Sequence, residues 1–216
     1  MRLSELSERS GLSTATIKYY LREGLLAPGR RISATTADYD EAHLRRLRLV
    51  RTLLQVGGVS VAAAREVLKH VDDDSLGRTI RLGAAHWALP HPSAPDGAQE
   101  DEALATARRE VDRLLDDVGW ESARDLAPLN PDHRSLVEAV ASLIRLGYPW
   151  NAEMMTPYAR MMHQVAVHDL DFTETYPSDT EQVEAAVAAT ILLEPILRGM
   201  HRLAQQEETV RRYGIT

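Results

Sequence analysis

Between Leu3 and Leu26 the chain has room for only two short helices. Leu3, Leu6 and Leu12 recur at helical spacing, Gly11 interrupts them, and Ser13 offers a hydroxyl to cap a new start. A second helix follows from about Thr14 to Glu23 and ends at Gly24. Two short helices joined by a tight glycine turn make a helix-turn-helix pattern. On the second helix Ile17, Tyr20 and Leu21 share one stripe at spacings of three and four, which suits packing on the first helix. The opposite stripe is Ala15, Lys18, Tyr19 and Arg22, with Thr14 and Thr16 in the first turn. Cations there neutralise phosphates, hydroxyls and the Tyr19 phenol donate to phosphate oxygens, and Ala15 suits a thymine methyl. Tyr19 is therefore expected outside and Tyr20 inside.

Charge supports a division of the chain. The formal net charge of -7 hides 12 Lys+Arg against 7 Asp+Glu in residues 1–71, a net of +5. The remainder carries 13 against 25, a net of -12. A basic front and an acidic rear point to two modules, the front meeting a polyanion. An apolar fraction of 44% is ordinary for a globular protein. There is no cysteine, which excludes disulfides and thiolate metal sites. The longest apolar run, Ala185 to Leu193, is short and flanked by Glu184 and Glu194. The charged N-terminus does not read as a signal peptide, and a soluble, cytoplasmic protein is expected.

After the second helix, Pro28-Gly29 and the strand-like Ile32 and Tyr39 predict a short hairpin or wing. Helical spacing returns through Leu44, Leu47, Val50 and Leu54, stops at Gly57-Gly58, and resumes after Ser60. The acids Asp72 to Asp74 change the character of the chain. A short helix is possible from Ser75 to Trp87, and Pro90, Pro92 and Pro95 then read as a linker. Leu104, Ala107, Val111, Leu114/Leu115 and Val118 predict a helix, and Asn130-Pro131 opens another in the favoured cap order. Asn151 to Leu170 reads as a helix broken or restarted at Thr156-Pro157. Ser178-Asp179 precedes the longest, ending near Tyr213, with a kink expected at Pro195.

The stretch "MRLSELSERSGLSTATIKYYLREGLLAPGRR…YDEAHLRRLRLVRTLLQVGGVSVAAAREVL" resembles the winged helix-turn-helix head of the MerR family of bacterial transcription regulators. The resemblance covers about the first third of the chain. It implies that Lys18 and Tyr19 contact phosphate and groove, and that Arg30 and Arg31 at the base of the wing reach the flanking backbone. Two departures stand out: Ala15 where the family usually has Arg, and Thr36-Ala37 where the wing usually has a Tyr-Arg pair. The resemblance further implies a homodimer on a pseudo-palindromic promoter site. Bending and untwisting that DNA would realign promoter elements for RNA polymerase, at a deformation cost of about a few kcal/mol. A small-molecule effector acting on the rear module would bias two arrangements of the dimer.

The fold class expected is therefore mostly α: a winged helix-turn-helix followed by an all-helical domain. The expected segments are 1–71 for DNA binding, 72–98 as acidic, proline-rich linker, and 99–216 for effector binding and dimerisation. Prolines make a long helix directly after the head doubtful. The terminal stretch from Glu181 is loosely similar to the last helices of TetR-family effector domains, and dimerisation is placed there. Trp150, Met154, Tyr158 and Met162, with Met161, are the candidate effector surface, since methionine and aromatic side chains repack cheaply around apolar ligands. A plain packing core is the commoner use of such a stripe. His86/His91 and His163/His168 are each five apart, which does not align two imidazoles, so surface histidines are expected and no metal or other cofactor. No nucleophile elbow, phosphate loop or zinc-protease motif is present, which argues against an enzyme. The alternatives are an architectural, excisionase-like DNA binder or a protein-interaction module on a DNA-binding head.

Overall fold

A computed structural model describes residues 1–33, 36–90 and 101–214. Prolines 92 and 95, His91 and part of the expected linker lie outside the described residues. The chain forms two compact units, residues 1–89 with 173–216 and residues 90–172. Helices dominate, and the described strands form a single two-stranded ladder. None of the described helices is long and apolar enough to cross a membrane.

The first unit begins with α1 (Leu3–Ser10) and α2 (Thr14–Arg22), joined through Gly11 at φ 68°. Ser13 caps α2 by accepting from the Thr16 amide at 3.0 Å. Strands β1 (Arg30–Arg31) and β2 (Ala37–Asp38) pair antiparallel, Arg30 opposite Asp38. Gly29 is required at the base of this wing, because a Cβ there would fall 2.7 Å from the Asp38 carbonyl oxygen. Helix α3 (Glu41–Arg51) starts in a capping box between Asp40 and His43. It continues into a π-helical turn, Thr52–Val56. Helix α4 (Val61–Val71) is capped by Ser60, and α5 (Arg78–Trp87) follows.

The core of this unit joins Leu6, Ile17, Tyr20, Leu44, Leu47, Val50, Leu53, Val67 and Val71. It also contains Ala85 and Leu89, from the segment expected to be linker, and Val183 and Val187, from the far end of the chain. These last two belong to α10 (Asp179–Tyr213), which Ser178 caps and which runs through Pro195 without interruption. The compact units thus divide the chain differently from the three segments expected from sequence. Helix α5 is built into the first unit, and α10 packs there too. Gly57 stops a helix as expected, but it also makes room: a Cβ would meet Ile191 Cγ2 at 2.9 Å and the Leu53 carbonyl at 3.0 Å.

The second unit holds α6 (Glu102–Val118), the short α7 (Glu121–Asp125), α8 (Pro131–Arg145) and α9, which ends at its boundary (Ala152–Thr173). Leu104, Ala107, Val111 and Leu114 of α6 face Val137, Val140 and Ala141 of α8, with Ala152, Met155 and Ala159 of α9. Asn130 caps α8 with Pro131 at its start, as expected. Helix α9 does not restart at Thr156-Pro157. Pro157 falls early, where it removes one ladder bond. The Glu110 carboxylate and the Asn151 side chain accept from the Ala152 and Met154 amides, both at 3.0 Å, and support that first turn.

Candidate nucleic-acid interface

The period of α2 sorts its side chains onto two faces, with Leu21 of the inner stripe only half-buried. Ile17 is fully buried and Tyr20 is 5% exposed, whereas Tyr19 is 36% exposed. Thr14, Ala15, Lys18 and Arg22 are exposed beside Tyr19, and Thr16 is half-buried because its hydroxyl sits 2.8 Å from Ser13 Oγ. The centroids of the two tyrosine rings lie 5.9 Å apart, with the rings tilted by 53°. Burial, the larger influence, and the neighbouring Tyr19 raise the pKa of the Tyr20 phenol, so it stays neutral. The Arg22 guanidinium lies 5.3 Å from the Tyr19 ring centroid, a cation–π contact that holds both on the outer face. Arg65 of α4 donates to the Glu23 carbonyl at 2.8 Å and to its carboxylate at 3.0 Å, which fixes the end of α2.

Arg30 and Arg31 are both exposed on β1. Arg30 reaches Asp38 at 3.2 Å and keeps 81% of its side chain exposed, so this pair leaves the cation accessible. The Asp38 carboxyl is held below its ordinary range, first by the Met1 amino group at 2.8 Å and then by Arg30. The Tyr39 amide also donates to the Met1 carbonyl at 2.8 Å, which ties the wing to the entrance of α1. A cleft of about 450 Å³ separates wing from helices, lined by Arg2, Leu3, Ser4, Lys18, Leu21, Thr36, Ala37 and Tyr39. Arg2 and Ser4 were missed in the sequence. Their signal was a cation and a hydroxyl at the opening of α1, unreadable until folding set them beside Lys18.

The first 71 residues match the model of the MerR HTH family of regulatory proteins. The similarity to that family is confined to this head. Among curated relatives, a ZntR homologue of Haemophilus influenzae, an HTH-type transcriptional regulator, is 28% identical over 85 residues. That match covers 33% of this chain and 63% of the relative. The HTH-type transcriptional regulator AdhR of Bacillus subtilis is 30% identical over 57 residues, covering 26% of this chain and 41% of AdhR. The chain thus spans less than two thirds of either relative's length. One solved structure is similar throughout: the "putative transcriptional regulator SCO5550" of Streptomyces coelicolor A3(2). It is 66% identical with a TM-score of 0.86, covering 100% of this chain and 99% of that one. None of these matches carries the TetR-like resemblance of the terminal stretch. They extend the MerR-type head into a chain whose remaining helices follow a plan shared with SCO5550.

The candidate effector residues lie in the second unit, away from this MerR-type surface in sequence. Trp150 packs against the core of that unit and sits 5.9 Å from the Tyr158 ring. Met154, Tyr158, Met161 and Met162 are between 44% and 50% exposed on α9. The stripe is therefore an open apolar face. The packing core of α9 uses Ala152, Met155 and Ala159 instead.

Proposed function

We propose that the protein is a transcription regulator that binds promoter DNA as a homodimer and answers to an apolar small molecule. The observation that carries this reading is the outer face of α2. Lys18, Tyr19 and Arg22 stand exposed on a helix anchored by Ile17 and Tyr20, and Arg30 and Arg31 are exposed on the wing. Such a helix enters a major groove while flanking cations hold the phosphates. Ala15 and Thr14 supply small groups for base edges, and Arg2 and Ser4 extend the phosphate contacts toward α1. RNA polymerase is affected indirectly, through the shape imposed on the promoter.

Dimerisation is assigned to the part of α10 beyond Ile191. Leu192, Ile196, Met200, Leu203, Val210 and Tyr213 are exposed there, and Ile196, Leu203 and Val210 recur every seven residues. An apolar stripe at that period pairs with another helix. The effector is assigned to the α9 face formed by Trp150, Met154, Tyr158 and Met162, where flexible thioethers and two aromatic rings accommodate an apolar ligand. Footprinting of the protein on the DNA upstream of its own coding region tests the reading. A protected, two-fold related site lost in the Lys18→Ala protein supports it. Uniform, sequence-independent protection contradicts it.

A further inference from the structure

Four arginines grip the beginning of α10. Arg46 of α3 has a side chain only 14% exposed; its Nε donates to Glu184 at 3.0 Å and its two terminal nitrogens donate to Asp72, one of them at 2.8 Å. Arg45 reaches Glu181 at 2.9 Å. From α5, Arg78 donates to Gln182 and lies 3.4 Å from Glu174. Arg81 is 4% exposed, donates to the Val71 carbonyl and to the Thr180 hydroxyl at 3.2 Å, and pairs with Asp74 at 3.1 Å. Residues 174–184 are thus held from two sides, while Val183 and Val187 enter the core and Ile191 closes on Gly57.

Burial, the largest influence on Arg46, opposes its charge, yet its hydrogen bonds to Asp72 and the charges of Asp72 and Glu184 outweigh it and raise its pKa. A buried forked ion pair adds little net stability over apolar packing, but it fixes direction and register. Apolar contacts such as Val183 and Val187 allow a helix to slide or roll; a guanidinium shared between Asp72 and Glu184 does not.

Resting on the reading that α10 carries the dimer contacts, we propose that Arg46 and Arg81 are positioning residues that set the spacing of the two recognition helices in the dimer. They touch no DNA in this scheme. They lock the root of the dimer helix to α3, to the end of α4 and to α5, so the angle between α2 and the exposed stripe of α10 is fixed. Specificity for half-site spacing then resides in this clasp, far from the groove.

The test uses the full chain and a duplex selected by the wild-type protein from a random-sequence pool. Three probes are compared: that duplex, the same duplex with one base pair inserted at its centre, and a single half-site. In the Arg46→Gln protein, affinity for the full site falls about tenfold, a size typical of residues that transmit coupling without touching ligand. Half-site affinity stays within about twofold, and the inserted base pair costs less than in the wild type. Glu184→Gln breaks one arm while leaving the Asp72 pair, so it keeps the fold and shifts the same preference in the same direction. Arg46→Lys restores charge without the fork and fails to restore the spacing preference. Equal losses on half and full sites, or an unaltered insertion penalty, overturn the proposal. Sedimentation of the wild type separates the two readings. A monomer on the full site overturns the dimer assignment and this proposal with it, whereas a dimer with unaltered spacing preference overturns this proposal alone.

Discussion

Helices α2 and α9 each bury one face and expose another bearing aromatic side chains, yet the exposed faces differ in kind. On α2 the aromatic Tyr19 stands among Lys18 and Arg22. On α9 Tyr158 stands among Met154, Met161 and Met162. A cationic, hydroxyl-bearing face gains most from a polyanion, which releases its counterions. An exposed thioether and aromatic face gains most from removing apolar area from water. The two surfaces therefore call for different partners, and the helices differ also in support. Helix α2 is locked by Ser13, Glu23 and Arg65, whereas α9 places Ala152, Met155 and Ala159 of its first half in the core of its unit.

The contrast breaks most visibly if the anchoring of the head is removed. A chain truncated after residue 172 loses Val183 and Val187 from the core and leaves Arg46 and Arg81 without Glu184 and Thr180. The head is expected to lose its cooperative thermal transition, because uncovering the core that Val183 and Val187 close costs about 1.5–3 kcal/mol for each buried apolar side chain lost, while Arg46 and Arg81 keep only Asp72, Asp74 and the Val71 carbonyl. The second unit is expected to keep its helical signal. A head that melts unchanged would show that α10 is only appended.

Tyr20→Ala tests the inner face of α2. Removing a ring that is 5% exposed is expected to destabilise the head by about 3 kcal/mol, read as a shifted urea midpoint. Tyr158→Ala, on the open face of α9, is expected to change stability by less than about 0.5 kcal/mol. Equal effects would erase the distinction between the two helices. Gly57→Ala should be intermediate. Its Cβ would press Ile191 and the Leu53 carbonyl, and overpacking of this kind costs about 1–3 kcal/mol. A neutral result would mean that Ile191 moves aside freely.

The smallest effect concerns acid stability of the second unit. Asp101 caps α6 through the Leu104 amide and pairs with Arg145 at 2.8 Å. Arg145, then the Leu104 amide, hold its carboxyl down at about 2 rather than the ordinary 3.8. Because the folded value lies below the unfolded one, this contribution is complete above about pH 4 and is lost as pH falls toward 2. Asp101→Asn should remove that part of the pH dependence of helix content. An identical acid profile in the variant would assign the transition to other carboxylates.

The faces of α2 were legible because a period of 3.6 sorts side chains before any tertiary contact forms. Ser13, Ser60, Asn130 and Ser178 were legible for a similar reason, since a cap acts within one turn. What sequence did not disclose depends on contacts across long stretches of chain. Gly57 reads locally as a stop, and only the approach of Ile191 gives it a second role. Nothing in the residues next to Arg81 shows that the Val71 carbonyl and Thr180 bring it inside. Arg2 and Ser4 became candidates only when the wing closed over α1. For α9 a local rule misled: Pro157 was read as a break, but the Glu110 and Asn151 side chains support the turn that precedes it.

The role proposed for the exposed face of α2 is to bind DNA through its cations. It is tested most directly by the salt dependence of binding, measured by fluorescence anisotropy with a labelled duplex from the upstream region. Wild-type affinity should fall steeply between about 50 and 200 mM salt. Lys18→Ala should weaken binding and reduce the slope of log affinity against log salt by about one, with an unchanged melting curve. A Lys18→Ala protein that binds with the wild-type affinity and slope would contradict the claim.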